Sequence, residues 1–355
     1  MAVKKKAKPL LIILIMIGFI IVLLGSYLFC TAPVDRKNQN MIDISIESGS
    51  SVREIAEQLK KEKIIRSPLL FQVYVKLSDI SSLKAATYQL SPSMNLREIV
   101  DTLEKGSNYN PNLVVLTFKE GQRITDYAKS IEKKTNHSYD EVISVFNDRE
   151  YLNTLIAKYW FLTEDILQEG IYYPLEGYLA PDTYHFEDKD VEITTIVEKL
   201  LDETEKVLEP YQSVISQDIH SYLTMASIVE LEGTNTENRK MIVGIFHNRL
   251  NSGMNMGSDV TTYYGLQVAM TSDLTSEQFA SSNEYNTRST TMIGKLPIGP
   301  ICAPSKSSIE ASLYPTDSDY LFFVADKNGK IYYTKTMKEH DEKVAEIKAK
   351  GDWIW

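Results

Sequence analysis

A glutamate near the end of one helical segment, Glu230, carries the strongest chemical signal in the sequence. Residues 216 to 233 read SQDIHSYLTMASIVELEG, and apolar side chains recur there at three- and four-residue steps. This spacing predicts an amphipathic helix that is capped by Ser216 and ended by Gly233. On a helical wheel Glu230 falls in the middle of the apolar stripe, whereas Glu232 points almost oppositely. We therefore predict that Glu230 faces the protein interior and that Glu232 faces water.

A carboxyl group among apolar side chains resists ionisation, so it stays protonated closer to neutral pH and can act as a general acid. Cleavage of a glycosidic bond requires such a proton donor, and Glu230 is the predicted one. The alternative is structural: Glu230 pairs with a buried arginine, such as Arg249 on the next helix, or extends into solvent from the helix end. Asn248 and Arg249 are also candidates to orient Glu230.

Other catalytic chemistries find little support in the sequence. It has no G-x-S-x-G or H-E-x-x-H motif, no P-loop, and no G-x-G-x-x-G that opens a helix. The five histidines lie far apart along the chain, so the sequence suggests neither a metal site nor a cofactor. Cys302 has no nearby base within PIGPICAP, and a structural role is the better interpretation.

The N-terminal residues indicate on which side of the membrane the candidate catalytic residues lie. Residues 9 to 34 contain no charged side chain, and a helix of about 20 apolar residues spans the ~30 Å hydrocarbon layer of a bilayer. Four lysines precede them, and basic flanks remain in the cytoplasm. We predict a cytoplasmic tail at 1–8, a single plasma-membrane helix at 9–31 and an extracytoplasmic remainder. The apolar run is too long for a signal peptide, and no A-x-A site follows it.

The composition is that of a folded protein with room for more than one domain, because 43% of its 355 residues are hydrophobic and 24% are charged. Subtracting the four N-terminal lysines from the 38 basic residues leaves 34 against 48 acidic ones, a net charge of about −14. Proteins that bind polyanions are usually basic, so nucleic acid is not an expected partner.

Changes in the residue pattern divide the extracytoplasmic part. Residues 44 to 59, ISIESGSSVREIAEQL, predict a strand, a Gly-Ser turn and a helix. The stretch GSNYNPN at 106–112 gathers turn-forming residues and marks a boundary. Beyond this boundary the sequence predicts both helices and strands, ending with a β-hairpin and a charged helix. We predict an α+β protein with a small module at 35–110 and a larger mixed domain at 111–355.

The small module resembles a LysM-type carbohydrate-binding module. The resemblance rests on an extracytoplasmic strand, Gly-turn and helix with the pattern G-x-x-x-x-x-I-A-x-x-L, and it covers residues 43 to about 106. It implies a βααβ fold that binds the N-acetyl sugars of cell-wall glycans. The alternative is that a short unit of this kind arises by chance.

The larger domain resembles the endolytic murein transglycosylase family. Its motifs follow the family order and read EGYLAPDTYHF, ASIVELEG, VGIFHNRLNSGMNMGSD, YNT, LPIGPICAP, SSIEASL and DYLFFVAD. With the anchor and the LysM-like module in front, the resemblance covers nearly the whole chain. It implies a membrane-bound enzyme that cleaves the β-1,4 bond between N-acetylmuramic acid and N-acetylglucosamine in nascent peptidoglycan strands, close to peptidoglycan synthases.

The same resemblance implies a mechanism. It makes Glu230 the catalytic acid, which protonates the glycosidic oxygen and then takes the proton of the muramic acid C6 hydroxyl as that oxygen attacks C1, leaving a 1,6-anhydro end. Because the substrate supplies the nucleophile, one carboxylate suffices, whereas hydrolases typically use two. The candidate substrate-binding residues, by motif position, are Asp259, Thr261, Tyr285, Asn286, Thr287, Glu176 and Asp182. For Glu176 and Asp182, helix capping or turn bonds are an equally good explanation.

The sequence departs from the family pattern near these candidates. Gly257 and Val260 stand where the pattern Q-[ST]-D-P-T has glutamine and proline, and Ala180 stands where an aromatic residue is usual. Two alternatives to the transglycosylase remain. A muramidase-type hydrolase with Asp259 as its second carboxylate predicts reducing ends in place of anhydro ends. A non-catalytic wall-binding scaffold with a structural Glu230 predicts that Glu230→Gln keeps full function.

Overall fold

The computed structural model describes residues 7–78, 80, 83–107 and 110–353. Residues 1–6 of the predicted cytoplasmic tail lie outside the described residues. The chain divides into two compact units, the first ending at Leu113 and the second beginning at Val114. Helices and strands occur in both units, which confirms the predicted mixed α and β class.

The first unit contains a long apolar helix followed by a small α+β module. Its elements are α1 (Ala7–Thr31), β1 (Ile42–Ile46), α2 (Val52–Lys61), α3 (Pro68–Leu77), β2 (Ala86–Leu90) and α4 (Leu96–Lys105). β1 and β2 pair in antiparallel fashion, with Ile44 opposite Tyr88. The module therefore has the order β-α-α-β, while its likeness to a LysM module stays a prediction.

α1 has the length and composition of a membrane span. Between Ile13 and Thr31 it is apolar enough to cross a bilayer, and it alone meets both conditions among the described residues. Its side chains from Ile13 to Phe29 are exposed in the folded chain. A helix with apolar side chains on every side requires an apolar surrounding, so α1 fits the predicted membrane anchor.

The second unit is mostly helical. Its helices are α5 (Ile124–Lys134), α6 (Tyr139–Phe146), α7 (Arg149–Lys158), α8 (Ile193–Leu208), α9 (Gln212–Ile215), α10 (Ile219–Glu232), α11 (Thr236–Asn251), α12 (Asp259–Gly265), α13 (Ser276–Phe279), α14 (Lys306–Leu313) and α15 (Met337–Ala349). Its strands are β3 (Val114–Thr117), β4 (Thr183–Phe186), β5 (Phe322–Ala325) and β6 (Ile331–Thr334). β3 pairs with β4, and β5 pairs with β6 as the predicted hairpin, both in antiparallel fashion.

Two hydrophobic clusters of the second unit meet along α10. Leu223 and Ala226 belong to one cluster, and Met225 and Ile228 belong to the other. Residues 223–229 are consequently all buried, and α10 packs against α11, α12 and α14. The prediction of an amphipathic helix is therefore wrong, because protein covers both sides of α10.

The start of α10 also differs from the prediction. The helix begins at Ile219, and Ser216 instead ends the short helix α9. The predicted end is confirmed, since Gly233 follows the last helical residue.

Candidate functional site

Hydrogen-bond donors surround Glu230 in the last turn of α10. Its Oε1 accepts a bond from Nη2 of Arg239 at 2.8 Å, and its Oε2 accepts bonds from the amide of Ser305 at 2.8 Å and from Oγ of Ser308 at 2.7 Å. The Glu230 side chain is only 8% exposed. One of these donors is a guanidinium, so Glu230 and Arg239 form an ion pair. The predicted apolar environment is wrong, and the arginine partner is Arg239 in place of Arg249.

Gly233 allows this ion pair to form. A Cβ atom on Gly233 would lie 2.4 Å from Cγ and 3.2 Å from Cα of Arg239. Its φ of −100° suits any residue, so the close approach of α11 is what requires glycine. Ser305 caps the N-terminus of α14, where a negative charge interacts favourably with the helix dipole. Glu230 thus joins the end of α10 to the beginnings of α11 and α14.

Glu232 does not face water as predicted. The residue is half-buried, and its Oε1 accepts a hydrogen bond from Oγ of Ser258 at 2.5 Å. Burial raises the pKa of Glu232 to about 7, with a further upward contribution from Asp259, against the lowering effects of Ser258 and Arg249. A carboxyl group with this pKa is partly protonated at neutral pH, so it can both donate and accept a proton. Sequence reasoning missed this group because it assumed a solvent-facing side of α10.

Buried hydroxyl groups hold the segment that contacts Glu232. The amide of Ser258 donates to Oγ1 of Thr287 at 3.0 Å, and the carbonyl of Ser258 accepts a bond from Oγ1 of Thr261 at 2.7 Å. The two threonine hydroxyls are 2.8 Å apart, and both side chains are fully buried. Thr261 and Thr287, predicted to bind substrate, therefore lie beneath the surface and fix the position of Ser258.

Asp259 and Tyr285 differ in accessibility. The Asp259 side chain is 54% exposed and forms an ion pair with Arg288. Tyr285 is 1% exposed, and its ring stacks on that of Tyr172 with centroids 4.9 Å apart. Asn286 is also fully buried, and its amide donates to the backbone carbonyls of Phe279, at the end of α13, and Ser281. Of these three predicted substrate-binding residues, Asp259 is the one open to a ligand.

Asn248 and Arg249 hold backbone segments and do not orient Glu230. Their side chains donate to carbonyl groups, namely those of Ser318, Tyr320, Leu321 and Met256. The Arg249 guanidinium also stacks on the ring of Phe322 at 5.2 Å. Arg249 consequently fixes the chain immediately before Gly257 and places a positive charge near Glu232.

The three departures from the family pattern have distinct structural settings. Gly257 has a φ of +71°, which glycine adopts without strain. Val260 lies in the first turn of α12, where the missing N–H of a proline would be tolerated. Ala180 is 8% exposed and lines a cavity of about 150 Å³. Asp182 lines the same cavity and accepts a bond from the Thr183 amide at 2.6 Å.

Glu176 caps a helix, as one interpretation of the sequence proposed. Its carboxyl oxygens accept the amide of Ile124, the first residue of α5, at 3.0 and 3.2 Å. The hydroxyl of Tyr264 donates to it at 3.1 Å. Burial raises the pKa of Glu176 to about 8 despite these bonds, because the side chain is only 2% exposed.

No metal centre is evident in the part of the chain that the structure describes, since it contains no group of three or more His, Cys, Asp or Glu side chains suited to an ion. Cys302 is buried, and its Sγ donates to the carbonyl of Ser227 at 3.2 Å. This packing agrees with a structural role for that thiol.

Comparison with known proteins identifies the family. Residues 44–346 match the YceG-like family. The chain belongs to the YceG-like family. An endolytic murein transglycosylase of Bacillus subtilis (strain 168) is 36% identical to it over 314 residues, which are 87% of this chain and 86% of that protein.

Two further relatives extend this comparison. An endolytic murein transglycosylase of Streptococcus pneumoniae (strain D39) is 33% identical over 333 residues and 88% of this chain, but the match spans 60% of that longer protein. A crystal structure of a YceG-like protein from Listeria monocytogenes is 35% identical, with a TM-score of 0.61. That similarity covers 86% of this chain and 99% of the Listeria chain.

Proposed function

We propose that this chain is an endolytic murein transglycosylase held in the plasma membrane by α1. Its substrate is the glycan strand of peptidoglycan, and it cleaves the β-1,4 bond between N-acetylmuramic acid and N-acetylglucosamine within nascent strands. Cleavage leaves a 1,6-anhydro end and stops elongation of that strand. Membership of the YceG-like family and the names of its relatives support this activity. Peptidoglycan synthases remain predicted partners.

The general acid in this proposal is Glu232. The observation that carries the assignment is its half-buried carboxyl group, whose pKa is raised to about 7 beside the exposed Asp259. A proton donor works best when its pKa lies near the working pH. Glu230 instead accepts bonds from Arg239, Ser305 and Ser308, so both of its carboxyl oxygens are already occupied by partners within the protein.

The proposed reaction uses both protonation states of Glu232. The protonated carboxyl donates its proton to the glycosidic oxygen as the bond to C1 of N-acetylmuramic acid breaks. The resulting carboxylate then accepts the proton of the C6 hydroxyl of the same sugar, whose oxygen attacks C1 and closes the anhydro ring. The bond from Ser258 fixes the direction of the carboxyl, and the nearby Arg249 charge stabilises the carboxylate that forms.

Product analysis of two matched variants tests both the reaction and the choice of acid. Purified glycan strands are digested with the full chain in detergent, as wild type, Glu230→Gln or Glu232→Gln, and the ends are identified by mass spectrometry. Glu237→Gln, an exposed change on α11, is the control. We expect anhydro ends from the wild type, from Glu237→Gln and, at reduced yield, from Glu230→Gln. Glu232→Gln should lose about 10²–10⁴-fold in rate, the usual contribution of general acid catalysis.

The opposite result would identify Glu230 as the general acid, as the sequence motif suggested. In that case a folded Glu230→Gln variant produces no anhydro ends while Glu232→Gln remains active. Equal activity of both variants would contradict either assignment. Circular dichroism of each variant establishes whether a loss of activity reflects unfolding.

The hydrolase is the second candidate because Asp259 supplies an exposed carboxylate beside Glu232. Hydrolysis through a second carboxylate predicts reducing ends and their loss in Asp259→Asn. Binding of strands by the wild type without any new ends would instead support the wall-binding scaffold.

A further inference from the structure

The outer side of α3 is apolar, and no other part of the first unit that the structure describes covers it. Leu69, Val73 and Leu77 are 70%, 41% and 80% exposed, respectively. Their four-residue spacing places them in one stripe along the helix. The opposite side carries Phe71 and Val75, which are buried in the core of the module. α3 thus has an apolar side that packs within the module and a second apolar side that meets the surroundings.

Hydrogen bonds hold the start of α3 close to the end of the membrane helix. Nη2 of Arg66 donates to the carbonyls of Pro33 at 2.7 Å and Val34 at 2.9 Å. Nε of Arg66 donates to Pro33 as well, at 3.1 Å, and the guanidinium lies 4.5 Å from the centre of the Phe29 ring. α3 begins at Pro68, two residues after Arg66, and it also contacts α1. The exposed stripe therefore starts where the proposed membrane span ends.

We propose that Leu69, Val73 and Leu77 insert into the surface of the bilayer that α1 crosses, so that α3 lies on the membrane as an interfacial helix. This inference rests on α1 as a membrane anchor and is independent of the cleavage reaction. α1 and α3 contact each other, and both carry exposed apolar side chains, so that one lipid phase covers both helices.

The same helix carries a suitable polar flank. Lys76 is exposed in its last turn, next to Leu77, and a lysine at a membrane surface extends its ammonium group to the lipid headgroups while its stem stays among apolar groups. Because α1 already holds the module at the bilayer, the stripe needs to add little affinity of its own to remain inserted. The consequence is a fixed orientation of the module on the membrane.

Fluorescence from single probe positions in the full chain tests this placement. A Cys30→Ala background retains only the buried Cys302, which is protected from labelling. Cysteine is introduced at Leu69, at Leu77 or, as a matched control, at the exposed Glu57 of α2, and each is labelled with the polarity-sensitive dye NBD. The labelled chains are reconstituted into phosphatidylglycerol and phosphatidylcholine vesicles, with and without a doxyl quencher on the acyl chains.

We expect NBD at positions 69 and 77 to emit at shorter wavelength than NBD at position 57 and to lose most of its emission in doxyl-containing vesicles. Emission at position 57 should be unaffected. Emission at 69 and 77 that matches the control would overturn the proposal. A shift to shorter wavelength without quenching by lipid would also overturn it, because the stripe would then be covered by a second copy or by another protein.

A polar variant checks the role of the stripe itself. Leu69→Asp combined with Leu77→Asp changes only strongly exposed side chains, so the circular dichroism of the chain should be unchanged. With NBD at position 73, this double variant should lose the quenching that the unmodified stripe gives. Retained quenching would show that residues other than Leu69 and Leu77 hold α3 at the membrane and would contradict the proposal.

Discussion

At the residue scale, one intervening residue separates two carboxyl groups with different surroundings. Glu230 accepts a guanidinium, an amide and a hydroxyl, whereas Glu232 accepts a hydroxyl and lies beside the carboxylate of Asp259. The first arrangement joins the end of α10 to α11 and α14. The second suits a carboxyl group that gains and loses a proton near neutral pH.

The rate of strand cleavage should decrease on the alkaline side of about pH 7, because Glu232 must be protonated to act as the acid. Asp259→Asn removes a neighbouring negative charge that raises the pKa of Glu232, so the decrease should begin at lower pH in this variant. The measurement is kcat/KM against pH for both proteins. Asp273→Asn, an exposed change between α12 and α13, should leave the profile unchanged. A wild-type profile that stays flat to pH 9 would exclude Glu232 as the acid.

The two glutamates should also differ in what they contribute to stability. Glu230→Gln leaves Arg239, whose side chain is 14% exposed, without its counter-charge, and loss of one partner of a buried ion pair typically costs about 3–5 kcal/mol. Glu232→Gln keeps an acceptor for Ser258 and removes a charge that burial opposes. At pH 8 we therefore expect a lower midpoint of thermal unfolding for Glu230→Gln and an equal or higher one for Glu232→Gln. The reverse order would contradict these environments.

Glu176 should make stability depend on pH. Its folded-state pKa of about 8 lies above the ordinary glutamate value, so its favourable contribution is complete below the unfolded pKa of 4.5 and is lost as the pH rises through about 8. Glu176→Gln cannot ionise, and its amide can replace the bonds to Ile124 and Tyr264. Between pH 5 and 9 the free energy of unfolding of the variant should rise relative to that of the wild type by a few kcal/mol, at ~1.4 kcal/mol per pKa unit. A pH-independent difference in denaturant unfolding would disprove this role.

At the element scale, the sequence predicts α10 but not what surrounds it. Periodicity and Gly233 locate the helix and its end, because these signals are local. The inward position of Glu230 is confirmed, since its side chain is only 8% exposed. The outward position of Glu232 is wrong, because protein covers that side of α10 as well. The partners of the two glutamates, Arg239, Ser258 and Ser305, come from other elements, and only the tertiary fold brings them to α10. Helical spacing alone therefore places Glu230 in the interior but does not reveal that Glu232 is half-buried beside Ser258.

The junction between α10 and α11 can be tested at Gly233. Gly233→Ala places a methyl group 2.4 Å from Cγ and 3.2 Å from the backbone of Arg239, so α11 must shift and the ion pair with Glu230 must weaken. Overpacking of this kind costs about 1–3 kcal/mol. Urea unfolding should show this loss, and the same change in an Arg239→Ala background should cost less, because the Cγ contact is then absent. Equal costs in both backgrounds would indicate that the Arg239 side chain is not the obstacle.

At the scale of the whole molecule, the chain joins an apolar helix that fits a membrane anchor, a βααβ module and a larger unit that carries the proposed acid. The uncharged N-terminal run predicts the apolar helix, and the turn-rich stretch at 106–112 predicts a boundary within the rest of the chain. Both signals are readable from the sequence because they depend on composition over many residues. The contact of Arg66 with the linker after α1 could not be read in this way. It pairs a side chain with backbone carbonyls. Every residue has a carbonyl group, so the residue types do not indicate which carbonyl accepts the bond.

That contact predicts how far a truncation can go. A chain that begins at Asp35 lacks the carbonyls of Pro33 and Val34, whereas one that begins at Ala32 keeps both acceptors of Arg66. The guanidinium is partly buried, so the free energy of unfolding of the shorter chain should fall by about 1.5–4.5 kcal/mol, at roughly 0.5–1.5 kcal/mol for each of the three hydrogen bonds. Calorimetric unfolding of the first unit measures the difference. In an Arg66→Ala background the two chains should unfold alike, and a difference that persists there would mean that the linker stabilises the module by other contacts.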